Sequence, residues 1–188
     1  TTTNVSTAGA KTITMTPIAA TAAKVDRYPN GEGLRMFVAS YAAMGANAPT
    51  MQVTYTNSAG TTGRTTTAGI VSTASATSGV LLNSGNAANK VGPFLNLAAG
   101  DTGVKDIESL TWGGTAHASG SVFVGLCKPL CMPIPVPATG LFNLVDFVNT
   151  LPSMPRLRNG ANVQFLIFAT GATTSGATLY TTFDYGWN

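Results

Sequence analysis

A chain of 188 residues with 44% apolar side chains suits one domain with a sizeable core, since folding at that length removes roughly 70% of the unfolded surface from water. Charged residues are only 9%, against a usual level of about 25%, so solvent-facing positions must be filled by small neutral polar side chains, threonine above all. The net charge of +3 is spread over ten Lys and Arg that form no run longer than an alternate pair, which argues against direct nucleic-acid binding through a clustered basic footprint. No stretch of eighteen apolar residues offers a membrane span, and the opening TTTNVSTAGAK lacks the basic-then-apolar order of an export signal.

Apolar and polar positions alternate in short runs separated by Gly, Asn and Pro, the pattern of half-buried strands. In KTITMT, Ile13 and Met15 alternate with threonines. LRMFVASY, Leu34 to Tyr41, follows the turn-rich PNGEG. MQVTYT then places Met51, Val53 and Tyr55 on one face and Gln52, Thr54 and Thr56 on the other. NSAGTTG reads as a loop, with RTTTAGIVS returning as the hairpin partner. Further strands are predicted at GVLLN (79–83), KDIESLTW (105–112), SVFVGLC (121–127), NVQFLIFAT (162–170) and ATLYTTFDYGW (177–187).

Eight or more short antiparallel strands at fairly even spacing predict an all-β chain, a β-sandwich or jelly roll. One segment departs from period two: in TGLFNLVDFVNTLP, Leu141, Leu144, Val145 and Val148 recur at helical spacing between a capping Thr139 and Pro152, predicting one short helix near 141–150. Residues 1–16 read as an amino-terminal arm or edge strand and 17–188 as a single sandwich domain.

CKPLCMPIPVP, 127–137, looks most like chemistry at first sight. A structural zinc site needs four ligands, and the chain holds two Cys and one His. Redox catalysis wants Cys-X-X-Cys, whereas three residues separate Cys127 from Cys131. In extended chain their Cα atoms lie roughly 13 Å apart, at about 3.3 Å per residue, beyond disulfide reach unless Lys128-Pro129 turns. Free thiols that pack as small apolar groups are the simpler reading. The prolines carry more. Pro133, Pro135 and Pro137 share one parity, so every missing donor lies on one side, while Met132, Ile134 and Val136 keep amides that can pair along the opposite edge. Such a strand either ends a sheet or forms an arm laid against a neighbouring subunit. Met132, Pro133, Ile134, Pro135, Val136 and Pro137 are therefore the candidate intersubunit contact.

Catalysis finds little to work with. His117, the only histidine, sits in the Gly/Ser/Ala-rich link WGGTAHASGS, and no G-x-S-x-G elbow is present. Asp106 and Glu108 share a parity that a solvated strand face explains more simply than a hydrolytic pair. In AAGDTGVKD, Asp101-Thr-Gly reads as a turn in which the carboxylate bonds backbone amides and Gly103 supplies positive φ, and Asn30-Gly31 and Asn159-Gly160 read as tight turns. Phe183, Tyr185 and Trp187 share one parity in the last predicted strand, a core face by default and a sugar-stacking platform as the alternative, with Trp112 a further candidate. No enzyme, metal or cofactor is predicted.

LNLAAGDTGVKDIESLTW, then a strand and LCKPLCMPIPVP, then LPSMPRLRNGANVQFLIF and a closing aromatic strand, resemble virion structural proteins of tailed bacteriophages, in particular capsid-associated or decoration proteins. The likeness covers about Thr50 to Asn188. It implies a β-rich homo-oligomer, for instance a trimer, bound to the major capsid protein on the outer capsid surface, where it bridges capsomers and stabilises the shell. Two other readings stand beside it: a carbohydrate-binding or host-recognition β-sandwich module, and a self-assembling jelly-roll coat protein. The coat reading lacks a basic amino-terminal arm, since only Lys11 and Lys24 occur in the first 25 residues.

Overall fold

The computed structural model describes residues 2–4, 11–14, 28–45, 50–67, 70–71, 79, 81–85, 90–113, 119–130, 157, 160–164 and 166. Every regular element among them is a β-strand, and every strand pairing is antiparallel, so the described chain is all-β. In chain order these are β1 (Thr2–Asn4), β2 (Lys11–Thr14), β3 (Arg35–Ala42), β4 (Thr50–Asn57), β5 (Arg64–Thr65), β6 (Ile70–Val71), β7 (Asn83–Gly85), β8 (Lys90–Gly92), β9 (Val104–Trp112) and β10 (Ser121–Cys127). The three longest, β3, β4 and β9, are rich in the β-branched and aromatic side chains that suit a pleated, half-buried surface.

Two sheets result. The smaller has the order β1-β10-β3; the larger runs β2-β9-β4-β6-β7-β8, with β5 also paired to β4. The expected return of RTTTAGIVS onto the strand before it is made twice, by β5 at Thr54 and Tyr55 and by β6 at Thr50 and Met51. Inward side chains from both sheets join one apolar cluster: Met36 and Val38 of β3, Val122 and Val124 of β10, Met51, Val53 and Tyr55 of β4, and Val104, Ile107, Leu110 and Trp112 of β9, with Met44, Leu82 and Leu95 from the connections.

With Met51, Val53 and Tyr55 completely buried, and Thr56 and Asn57 at its end buried as well, β4 obeys the predicted alternation as far as Tyr55. β9 does not. Thr54 pairs with Ser109 but Tyr55 with Ile107, and Thr56 pairs with Asp106 but Asn57 with Val104. Glu108 and Lys105 are thus extra residues, bulged out of the ladder. Each bulge resets which parity faces the core, so β9 sends Val104, Ile107, Leu110 and Trp112 into the apolar cluster, with Asp106 buried as well, rather than a strict every-second set. A third bulge, opposite Ser121 and Val122, skips Tyr41 of β3, which stands 65% exposed at the sheet end.

Beyond β3, the side away from β10 is occupied by irregular chain: Leu82 N–H donates to the Val38 carbonyl at 2.8 Å and Leu95 N–H to that of Met36 at 2.9 Å, with isolated bridges at Ala39–Leu81 and Phe37–Phe94. This is why, among the described residues of the strand predicted at 79–83, only the last is in a regular strand: Leu81 and Leu82 lie along β3 while the chain at Asn83 turns into the larger sheet. The strand predicted over 162–170 is corrected in part. Residues 162–164 and 166 belong to no strand, and Val163 is exposed, because an apolar run becomes a strand only where an edge receives it. The short helix near 141–150 and the strand at 177–187 lie outside the described residues.

Two backbones touch at one end of the larger sheet. Gly33 N–H donates to the Thr102 carbonyl at 3.1 Å and Glu32 bridges Gly103. The predicted Asn30-Gly31 turn forms there, closed by Gly31 N–H to the Tyr28 carbonyl at 2.7 Å with Gly31 at φ +67°. A Cβ on Gly31 would fall inside the Val104 carbonyl. Backbone cannot yield as a flexible side chain can, and left-handed φ disfavours any other residue. Gly31→Ala is expected to lower unfolding free energy by about 3 kcal/mol, read from urea denaturation of the two proteins.

Candidate functional site

Across β2, β9, β4 and β5 the outward face of the larger sheet carries a ladder of uncharged side chains. Cross-strand pairing aligns Thr12, Thr111 and Gln52 in one row and Thr14, Ser109, Thr54 and Thr65 in the next. Thr12, Thr14, Gln52 and Thr65 are exposed and the other three half-buried. None of the seven ionises. The Oγ1 atoms of Thr12 and Thr111 bond one another at 2.9 Å, and Gln52 Nε2 donates to the Thr66 carbonyl at 2.9 Å. Such a face presents methyl groups beside neutral hydroxyls, which costs little to desolvate compared with a charged one.

The face ends in acidic groups that are held rather than free. Glu108, put outward by its bulge, receives Thr56 Oγ1 at 2.7 Å and the Gly63 N–H on both oxygens at 3.0 and 3.2 Å. Asp106 is buried and receives the Ile107 N–H at 2.8 Å. The solvated face expected for this pair is corrected: pairing opposite Thr56 takes Asp106 out of water, and the 57–63 loop folds over Glu108. Their oxygens are committed to backbone and hydroxyl donors, unlike a hydrolytic pair poised around a substrate.

Behind this face lies a polar node. Tyr55 is fully buried on the apolar side of β4, and its hydroxyl donates to Asp101 Oδ2 at 2.6 Å while accepting the Ala98 N–H at 2.8 Å. Asp101 Oδ2 also takes Arg64 Nε at 2.9 Å, and Oδ1 takes Asn57 Nδ2 at 2.7 Å. Arg64 reaches on to the Ala99 carbonyl, and Asn57 Oδ1 receives the Thr61 N–H. Burial and the bond to Asp101 push the Tyr55 phenol up to about 12. The Arg64 guanidinium, then Tyr55 and Asn57, hold the Asp101 carboxyl down at about 2.

This corrects the reading of Asp101-Thr-Gly as a self-contained turn. The turn runs from Ala98 to Asp101, closed by Asp101 N–H to the Ala98 carbonyl at 3.1 Å with Gly100 at φ +85°, and the carboxylate serves three side chains instead of local amides. The sequence signal for the node was Tyr55 at a core parity, since a buried phenol requires a partner; which acid answers it is set by loops that meet only in the fold.

Of the other sequence candidates, Met132, Pro133, Ile134, Pro135, Val136 and Pro137 lie outside the described residues, as do Cys131, His117, Phe183, Tyr185 and Trp187. Cys127 is a half-buried free thiol, pushed up to about 11 by burial, and so is a weak nucleophile near neutrality. Trp112 is fully buried and offers no ring to a sugar. Among the described residues no group of three or more His, Cys, Asp or Glu could hold a metal ion, and no helix is long and apolar enough to cross a membrane. Comparison with protein families, curated proteins and solved structures finds no match for the chain.

Tyr55→Phe leaves Asp101 and the Ala98 N–H each short of a partner and is expected to cost about 1–3 kcal/mol of stability, measurable as a lower urea midpoint at unchanged slope. The Asp101 carboxyl is depressed from its ordinary 3.8, so its contribution is full above about pH 4 and is lost as pH falls toward 2. Thermal melts from pH 6 to 2 should therefore show a steeper acid decline for the native chain than for Asp101→Asn. Tyr55 has the opposite sign: its contribution is full below pH 10 and fades as pH rises toward 12.

Proposed function

We propose that this chain is a non-enzymatic virion structural protein, a capsid decoration protein of the tailed-phage type that sits on the outer capsid surface, bridges capsomers and stabilises the shell. Its two sheets form a β-sandwich of the jelly-roll kind around the shared apolar cluster, and it acts as a homo-oligomer against the major capsid protein. The observation that carries the reading is the uncharged polar face Thr12, Thr111, Gln52, Thr14, Ser109, Thr54 and Thr65 on an antiparallel frame. The resemblance of the sequence from about Thr50 to Asn188 to virion proteins supports it.

The chemistry fits the role. Many identical copies crowded on a lattice accumulate like-charge repulsion unless their surfaces are close to neutral. Weak neutral contacts suffice where several copies bind as one unit, because linked binding raises avidity by about 100-fold or more without any new contact. The one-sided strand Met132 to Pro137 supplies the contact between copies in this reading.

Co-sedimentation with assembled capsids and with unassembled capsid subunits tests the proposal. Binding is expected to the assembled shell alone; equal binding to both forms overturns a bridging role. Thr14→Lys combined with Thr65→Lys, both exposed on that face, is expected to weaken shell binding about ten-fold while the melting temperature stays within about 2 °C, as surface changes usually do.

A further inference from the structure

The stretch 127–137 begins inside the described structure, and its first residues are held by a socket that no role above uses. Lys128 immediately follows β10, with Pro129 and Leu130 half-buried behind it. Its Nζ stands 5.6 Å from the centroid of the Tyr28 ring and donates to the Glu32 carbonyl at 3.3 Å. Gly33, at φ +69°, lies directly beneath: a Cβ there would occupy the position of the Lys128 ammonium. The loop is braced by Gly31 N–H to Tyr28 O, Leu34 N–H to Gly31 O and Gly33 N–H to Thr102 O. An aromatic face, a carbonyl oxygen and a hollow left by a missing side chain are the parts of an ammonium socket.

We propose that Lys128 is a strap: its ammonium, seated in the Tyr28–Glu32–Gly33 socket, fastens the end of β10 to the 28–34 loop and fixes the direction in which the chain leaves toward Pro129 and Leu130. This rests on the proposed function in one respect, that the residues just beyond are the contact between copies. Lys128 is then a positioning residue for that contact and not part of it. The position of Pro129 suits the purpose, since its ring limits the backbone freedom of both itself and Lys128. Each socket contact is exposed and individually weak, so the strap biases the exit by a few-fold and leaves the fold itself intact.

The test uses Lys128→Met, which keeps the apolar stem and removes the charge, and Lys128→Arg, which restores a cation. In the isolated native protein the Lys128 ε-methylene protons should be shifted upfield by the Tyr28 ring relative to the other four lysines, and the shift should vanish in Tyr28→Leu. The backbone order parameter of Leu130 should fall from about 0.85 toward 0.6 in Lys128→Met and recover in Lys128→Arg. Unshifted protons, or an unchanged Leu130 in both Lys128→Met and Tyr28→Leu, overturns the strap. Loosening of β4 and β9 to the same degree as Leu130 also overturns it, because Lys128 is then a general stabiliser. Binding of Lys128→Met to assembled capsids is expected to weaken about three-fold per engaged copy; unchanged affinity with a loosened Leu130 overturns the positioning role. Native chain that ignores capsids altogether instead defeats the proposed function and leaves the spectroscopic result standing.

Discussion

A phenol taken fully out of water must keep its hydrogen bonds, and at Tyr55 that requirement organises one whole end of the molecule. Its hydroxyl draws in Asp101 and the Ala98 amide. Asp101 in turn brings Arg64 from β5 and Asn57 from the end of β4, so the 57–63 loop and the 98–103 loop share one carboxylate. Every oxygen of that carboxylate is used. With the Asp101 loop fixed, Thr102 and Gly103 are placed to receive the Gly33 amide and the Glu32 bridge, which seats the 28–34 loop. Three connections that are distant in sequence are thereby locked to one buried group, and the hairpin carrying Thr54 and Thr65 is held in register.

The bulges of β9 complete the frame. A strand that alternated strictly would have buried Glu108 beside Leu110 or turned Ile107 outward. Instead the extra residues Glu108 and Lys105 let Trp112, Leu110, Ile107 and Val104 all enter the core. The outward side gains rows of uncharged polar side chains that end at a carboxylate hydrogen-bonded by the Gly63 amide and Thr56. Core and surface are therefore products of the same irregularity. A neutral face of this kind has little long-range electrostatic pull, so its contacts depend on fit and on the number of copies engaged.

The smaller sheet has a different character. β3 is buried on both faces, Met36 and Val38 within the shared core and Phe37 and Ala39 on the other side. The Phe37 ring lies over Gly125 and meets Phe123 edge to face, centroids 5.7 Å apart. β10, between β1 and β3, is thus held across its width before it reaches Cys127. The chain that follows leaves from a fixed strand end, beside the Lys128 socket, and not from a loose loop.

Composition and period alone determined that the described chain is built of strands, where β3, β4, β9 and β10 lie, that RTTTAGIVS returns onto β4, and that the face formed by β2, β9, β4 and β5 is rich in uncharged polar side chains. These are local properties: alternation, β-branching and turn residues act within a few positions of one another. Tertiary structure alone decided that Asp101 serves Tyr55 and Arg64 across 46 and 37 positions of sequence, that Trp112 is core, that Asp106 is buried, and that Leu81 and Leu82 lie along β3. No residue in those segments announces its partner. A bulge reverses parity without any change in composition, and a buried hydroxyl states a demand that only a loop arriving from elsewhere can meet.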